Sequence, residues 1–562
     1  MQLEIPSLRD SPAGKQLFVN GKPFLIRGAE LQNSSMSSAE YMKEVWTKLA
    51  AAKVNTVLGA VPWDMIEAEE GKFTFHELDR VIEGAREHGL RLVLLWFGSF
   101  KNGLSTYAPS WVKRDTKRFP RAKLRKAGGK IQVADTLSIF HTEGQIADAK
   151  AFNMLMQHIK KVDENHFTVI MVQVENEVGL LGDSRDGSSA ANDRFKSPVP
   201  QKLIDVLKDN WDSLHDSLKA NLTNFRESSH KIDNNSWETV FGQSPRTDEI
   251  FMAYHYALYL EQVALAGKIA YALPMYTNVW QDYAGDDSET NLPVVAGGGG
   301  NPGGYPSGGG VANVLDIWQY FAPTLDFIAP DIYLNNYAAV CAKYRHRKQP
   351  LFIPEQRRDE YGARRTWTAI GSYQALGTAP FGLDTLDLDV NPFRKHYSLL
   401  AMVSPLLLAA QQIPHSSIGF CFDELPSTGK DSSRTVTAVF GKWQLRIERS
   451  FVFGKPGPGF GIVLHTGDST FLLIGEGFQV TFSSTSPRDI FTGILRFVEK
   501  EVINETTGEM RTWRTFGGDE TRSGQSAVMP ASDPDYGDFP ISITIPARTR
   551  IAECDIYALE DD

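Results

Sequence analysis

The chain has 562 residues, 42% of them apolar and 22% charged, with a formal net charge of −10. This is the balance of a folded globular protein, not of a disordered or fibrous one, and the acidic excess argues against nucleic-acid binding, which needs a basic face. The three cysteines, Cys341, Cys421 and Cys554, lie too far apart for a disulfide framework or a zinc pattern, and no apolar run reaches the length of a membrane span.

The N-terminal stretch Met1-Gln2-Leu3-Glu4-Ile5-Pro6 has neither the basic start nor the apolar middle of a signal peptide. The expected location is therefore cytoplasmic, with secretion left open. Four Asn-X-Ser/Thr triplets, beginning at Asn33, Asn221, Asn234 and Asn504, matter only in the secreted case.

Residues 24–30 read as a first strand. Ser37-Ser38-Ala39-Glu40 has the capping-box spacing, in which Ser and Glu side chains satisfy free backbone N–H groups. Met42, Val45, Trp46, Leu49 and Ala52 then share one helical face. Residues 54–61 form the second strand. The next helix buries Leu78, Val81, Ile82 and Ala85 and stops at Gly89. Further apolar runs at 90–97, 169–177, 271–280, 325–333, 351–355 and 375–381 read as strands three to eight, and a helix follows over 397–411. Alternation of this kind predicts the α/β class and a (β/α)8 barrel, with an open doubly wound sheet as the rival. Residues 1–412, opening with a short β hairpin, form the expected barrel domain. Residues 413–562 turn to short β runs split by Gly, Pro, Ser and Asp, and 541–545 alternate as a half-buried strand does. An all-β sandwich is expected there, either binding carbohydrate or packing against the barrel.

Two stretches stand apart. Residues 297–310 contain nine glycines in fourteen positions without the Lys-Ser/Thr ending of a phosphate loop. They read either as a mobile linker or as a loop edging a cleft, with Tyr305 facing substrate. Residues 113–130 carry nine Lys or Arg and one acid. A solvated loop is the default reading, and recognition of an anionic substrate the sharper one.

The chemistry sits at two strand ends. The fourth strand closes on Asn176-Glu177 and the seventh on Glu355. Parallel barrels gather their chemistry at strand C-termini, and two carboxyl groups brought there are what glycosidic cleavage requires: one protonated, one ionised. Glu30 also ends a strand, as a sugar ligand or as a structural acid. Tyr333 closes strand six shortly before Glu355, and Trp280, closing strand five just after Thr277-Asn278-Val279, is either a stacking platform or a core residue. No metal-ligand spacing and no nucleophile elbow occurs, so no cofactor is implied.

Three local sequences narrow this reading: residues 28–35 (Gly-Ala-Glu-Leu-Gln-Asn-Ser-Ser), 62–75 (beginning Pro62-Trp63-Asp64-Met65-Ile66-Glu67) and 108–112 (Ala-Pro-Ser-Trp-Val). With the strand-end Asn-Glu and Glu, the chain resembles glycoside hydrolase family 35, the β-galactosidases of the retaining (β/α)8 clan, in its branch with a C-terminal β-sandwich. The resemblance implies Glu177 as acid/base and Glu355 as nucleophile. It also implies Asn176 on the sugar 2-hydroxyl, Tyr333 on the Glu355 carboxylate and Glu67 on galactose hydroxyls. The family's usual Trp-Asn-X-His-Glu is here Trp63-Asp64-Met65-Ile66-Glu67, a departure that bears on sugar recognition. The expected activity is that of a retaining exo-β-galactosidase on oligosaccharides or polysaccharide side chains. The alternative is a transglycosylase or a hydrolase of another β-pyranoside. The partner is a carbohydrate substrate, with no nucleic acid and no membrane; the oligomeric state stays open.

Overall fold

The computed structural model describes all residues except 1–3, 228–233, 284–298, 426–430, 432, 434, 451–456, 532–544 and 562. The chain forms two compact units. Residues 1–9, 17–356 and 378–387 make the first, and residues 10–16, 357–377 and 388–562 the second.

The first unit is built on eight parallel strands: β1 (Ile26–Glu30), β2 (Thr56–Pro62), β3 (Arg91–Lys101), β4 (Val169–Asn176), β5 (Met275–Val279), β6 (Phe327–Pro330), β7 (Ile353–Gln356) and β8 (Gly377–Pro380). They run in the order β6-β5-β4-β3-β2-β1-β8-β7. The ring closes between β6 and β7, where the Ile332 N–H donates to the Glu355 carbonyl at 3.0 Å beside a parallel bridge from Ile332 to Gln356. The open doubly wound alternative is thereby set aside. Every residue of β2 and β4 is buried. This is why β2 and the first half of β4, Val169–Val172, are almost wholly apolar: barrel interior covers one face and helices the other.

Helix α1 (Ala39–Ala51) buries Met42, Val45, Trp46 and Leu49, and α2 (His76–Glu87) buries Leu78, Val81, Ile82 and Ala85. The cap of α1 is Ser38, whose hydroxyl accepts from the Tyr41 N–H, and Glu40 turns outward to Lys43, so the box expected from Ser37 to Glu40 does not form. Helices α3 (Thr142–Asp163) and α4 (Pro245–Ala270) pack closely, because Gly267 leaves room for Phe152; a Cβ there would lie 2.2 Å from its ring. After β3 the basic stretch leads into an antiparallel ribbon, Arg121–Lys126 with Lys130–Leu137. Three of its four arginines are paired. Arg118 pairs with Glu70, Arg121 with Asp135, and Arg125 with both Asp183 and Asp248.

The second unit holds a six-stranded and a four-stranded antiparallel sheet. Their inner faces share one core, including Phe420, Leu445, Ile447, Leu473, Phe478, Phe497 and Ile556, as a β-sandwich requires. Helices α5 (Glu360–Tyr373) and α6 (Phe393–Ala410), counted with the barrel in the sequence reading, cluster with this unit. Helix α5 lies on the sheet through Gly371 and Gly419; a Cβ on Gly419 would sit 2.1 Å from the Trp367 carbonyl oxygen. Of the strand expected at 541–545, only Ile545 is among the described residues. No helix among the described residues is long and apolar enough to cross a membrane.

Candidate active site

The end of β4 is bent by backbone strain. Glu175 and Glu177 both have left-handed conformations, with φ of 61° and 45°. Such conformations cost about 1–3 kcal/mol each in non-glycine residues, and persist where surrounding contacts hold them. The holding group here is the Glu175 carboxylate. It accepts from the backbone N–H groups of Ser99 at 3.0 Å and Phe100 at 2.7 Å, where β3 bulges. Asp148 of α3 lies alongside, accepting from the Trp96 indole at 2.9 Å and Ser99 N–H at 3.1 Å. Burial, then the neighbouring Asp148, pushes Glu175 well above the ordinary carboxyl range.

The bulge brings Lys101 opposite Asn176. The Lys101 ammonium donates to Asn176 Oδ1 at 3.0 Å. The Glu177 N–H donates to Asn278 Oδ1 at 2.9 Å, and Asn278 Nδ2 donates to Asp331 Oδ2 at 2.7 Å, so β5 ties the end of β4 to the residue after β6. Across the ring, the Tyr333 hydroxyl donates to Glu355 Oε1 at 2.5 Å. Glu177, Asp331 and Glu355 each offer an oxygen within 4.8 Å of the others.

Four buried carboxyl groups, Glu30, Glu177, Asp331 and Glu355, thus surround one ammonium. They cannot all be ionised in so dry a place. Burial first, then the charge of Glu355, raises Glu177 to about 7, with Lys101 pulling the other way. Burial and Glu355 likewise lift Glu30 and Asp331 well above the usual range. Burial alone would depress the Lys101 ammonium, but Glu355, Glu177, Glu30 and Asp331 together raise it. The three close carboxyls have the spacing of a cation site; the Lys101 ammonium, coupled to all of them, already supplies positive charge there.

Five buried polar atoms of this cluster have no hydrogen-bond partner: Glu30 Oε2, Asn176 Nδ2, Tyr276 Oη, Asp331 Oδ1 and Glu355 Oε2. Native interiors rarely leave such groups unsatisfied. Five of them, four from different strands and one from the residue after β6, suit a polyhydroxylated ligand.

The structure therefore brings together five of the sequence-derived candidates: Glu30, Asn176, Glu177, Tyr333 and Glu355. Two others are placed differently. Both oxygens of Glu67 are used inside its own loop, by the Trp63 indole at 2.7 Å and the Gly71 N–H at 2.8 Å. Tyr305 faces no cleft. It is fully buried, its hydroxyl accepting from Arg246 at 2.6 Å and donating to Glu249 at 2.5 Å. Trp280 follows β5 directly and is half-buried.

The glycine-rich stretch is no linker over its described part, residues 299–310; Gly297 and Gly298 lie outside the described residues. It is packed on the loop that follows Glu177. Leu180 and Ser307 exchange backbone hydrogen bonds, Gly182 N–H donates to the Gly303 carbonyl at 2.8 Å, and a Cβ on Gly309 would lie 2.5 Å from the Val178 carbonyl oxygen. Sequence reasoning missed Lys101, Asn278 and Asp331. The available signal was weak: an amide inside the fifth apolar run, and an acid two residues before Tyr333.

Residues 33–242 match the glycoside hydrolase 42 family model, described as Beta-galactosidase, and residues 393–528 match a model described as Domain of unknown function (DUF5597). A stretch of 192 residues is 31% identical to Beta-galactosidase-1-like protein 3 of Mus musculus, covering 32% of this chain and 26% of that protein. Among solved structures, a β-galactosidase from Rahnella sp. R3 matches with 14% identity and a TM-score of 0.43, over 68% of this chain and 57% of that one. The catalytic domain of a β-amylase from Paenibacillus polymyxa matches with 11% identity and a TM-score of 0.45, over 66% and 96%. The chain thus spans about a quarter of the curated relative and little more than half of the Rahnella enzyme. Structural likenesses this distant carry no weight for function. The matched model bears the number 42, where the sequence resemblance pointed to 35. The match covers the part of the ring that carries β2, β3 and the Asn176-Glu177 pair, so it is this part that is similar to the family described as Beta-galactosidase.

Proposed function

We propose that this chain is a retaining exo-β-galactosidase, with Glu177 as acid/base and Glu355 as nucleophile. One observation carries the reading: oxygens of the two carboxyls stand within 4.8 Å at the C-terminal ends of facing strands. Retaining glycosidases hold the pair about 5–5.5 Å apart, whereas inverting ones leave about 6.5–9.5 Å for a water.

The protonation pattern fits the division of labour. Glu177, raised to about 7, holds a proton at neutral pH for the departing glycosidic oxygen. Glu355 presents one oxygen fixed by Tyr333 and one free of partners, aimed by the first at a reacting carbon. Attack of the free oxygen on the anomeric carbon breaks the glycosidic bond as Glu177 protonates the leaving oxygen. A water then enters on the Glu177 side. Glu177, now ionised, takes its proton, and the glycosyl–Glu355 ester is cleaved with net retention. Asn176 Nδ2 hydrogen-bonds the 2-hydroxyl, and Glu30 and Tyr276 take other ring hydroxyls.

A chromogenic panel tests the reading. Turnover is expected on an aryl β-galactoside and lost in Glu355→Gln. Activity confined to an aryl β-glucoside would overturn the galactose assignment, and activity surviving in Glu355→Gln would overturn the mechanism.

A further inference from the structure

Asn176 can turn either end of its amide toward a ligand, and the two ends recognise opposite chemistry: Oδ1 only accepts, Nδ2 only donates. The choice is made by Lys101. An ammonium has donors and no acceptor, so the amide must show it Oδ1, as the 3.0 Å contact does. Nδ2 is then forced to the other side, where it is buried and without a partner. Lys101 has little freedom to release it. The residue is 8% exposed, its ammonium lies over the Phe97 ring at 5.0 Å, and the bulge that carries it is pinned by Glu175 through Ser99 and Phe100.

We propose that Lys101 is a specificity-determining residue: by locking the Asn176 amide with its NH2 toward the sugar, it restricts the glycone to one whose carbon 2 carries a hydrogen-bond acceptor, a hydroxyl and not an ammonium. The inference rests on the glycosidase reading above. It runs against the acceptors that line the site. Four carboxyl groups, even where burial keeps them protonated, offer oxygens that could accept from the ammonium of an amino sugar, so the carboxyls and the amide lock make opposite forecasts for the same substrate.

The test uses three aryl β-galactosides that differ only at carbon 2, bearing hydroxyl, hydrogen or amine, at a pH low enough to keep the amine protonated. The parent enzyme should favour the hydroxyl over the hydrogen and ammonium compounds by roughly 10- to 100-fold in kcat/KM, the scale of one buried hydrogen bond. Lys101→Met frees the amide to rotate, and the hydroxyl-to-ammonium ratio should fall towards unity. Lys101→Arg keeps a donor-only partner and should keep the ratio. Ratios within one variant cancel a general loss of activity. Should Lys101→Met fail to fold by circular dichroism, Lys101→Gln, whose amide can both donate and accept, releases the lock equally. A parent that cleaves the ammonium compound as well as the hydroxyl one, or a released variant that keeps the parental ratio, overturns the proposal alone. A parent inactive on every glycoside overturns the glycosidase reading and this proposal with it.

Discussion

Gly309→Ala isolates the role of the glycine-rich segment. A Cβ at 309 would lie 2.5 Å from the Val178 carbonyl oxygen and 3.3 Å from that of Pro306, whereas ordinary contact begins at 3.4 Å. Both obstacles are backbone, so about 0.9 Å (3.4 less 2.5) must come from a shift of one chain against the other. Val178 directly follows Glu177, whose own φ of 45° leaves it little slack. Overpacking of this kind costs about 1–3 kcal/mol of stability. A displacement near 1 Å in a catalytic group costs on the order of 100-fold in rate. The loss should depend on the leaving group. An aryl glycoside with a poor leaving group needs the Glu177 proton and should lose about 100-fold in kcat/KM. One with a strongly acidic phenol departs unaided and should lose far less. Gly518→Ala, where an added Cβ meets nothing within 4 Å, is the control. Equal losses on both substrates, or none, would refute the idea that this segment positions the acid/base.

Other consequences are equally direct. Because Glu177 must be protonated and titrates at about 7, kcat/KM should fall about tenfold per unit above that pH; a profile flat to pH 9 would contradict the assignment. Glu177 and Glu249 both titrate at about 7 in the folded protein, above the roughly 4.3 of an unfolded carboxyl. The native state therefore keeps protons that the unfolded chain releases. Their stabilising contribution is full below about pH 4.3 and is lost as pH rises through 7, so Tm should decline across that window, and a rising Tm would count against it. Glu67→Ala strands the Trp63 indole and the Gly71 N–H, at a cost of about 1–3 kcal/mol. It should lower Tm while leaving the galactoside-to-glucoside ratio unchanged, and an altered ratio would return Glu67 to the sugar.

What could be read from the sequence was set by local pattern. The eight apolar runs and their polar ends are local, and they led to Glu30, Glu177, Tyr333 and Glu355. Lys101 escaped because β3 continues four residues past the apolar run through a bulge, and the bulge exists only once Glu175 and Asp148 fold against it. Asp331 and Asn278 act through each other across two strands, a pairing no single stretch announces. Glu67 and Tyr305 have partners that the sequence did not show, for a related reason. A carboxylate or phenol on an active-face loop looks like a ligand until its own neighbours, Trp63 and Gly71 or Arg246 and Glu249, are seen to take it. The glycines of 299–310 suggested freedom, but at Gly303, Gly308 and Gly309 they are required by the opposite condition, backbone pressed against backbone.

The central claim is that Glu355 bonds to the sugar while Glu177 manages the proton. Incubation with a 2-deoxy-2-fluoro-β-galactoside bearing an activated leaving group, followed by peptide mass mapping, tests it most directly. The account expects a single glycosyl ester on the peptide containing Glu355, absent from Glu355→Gln, even though fluorine weakens the contact with Asn176. A label on Glu177, Asp331 or Glu30, or turnover of the unsubstituted substrate to the inverted anomer with no trapped ester, would contradict it.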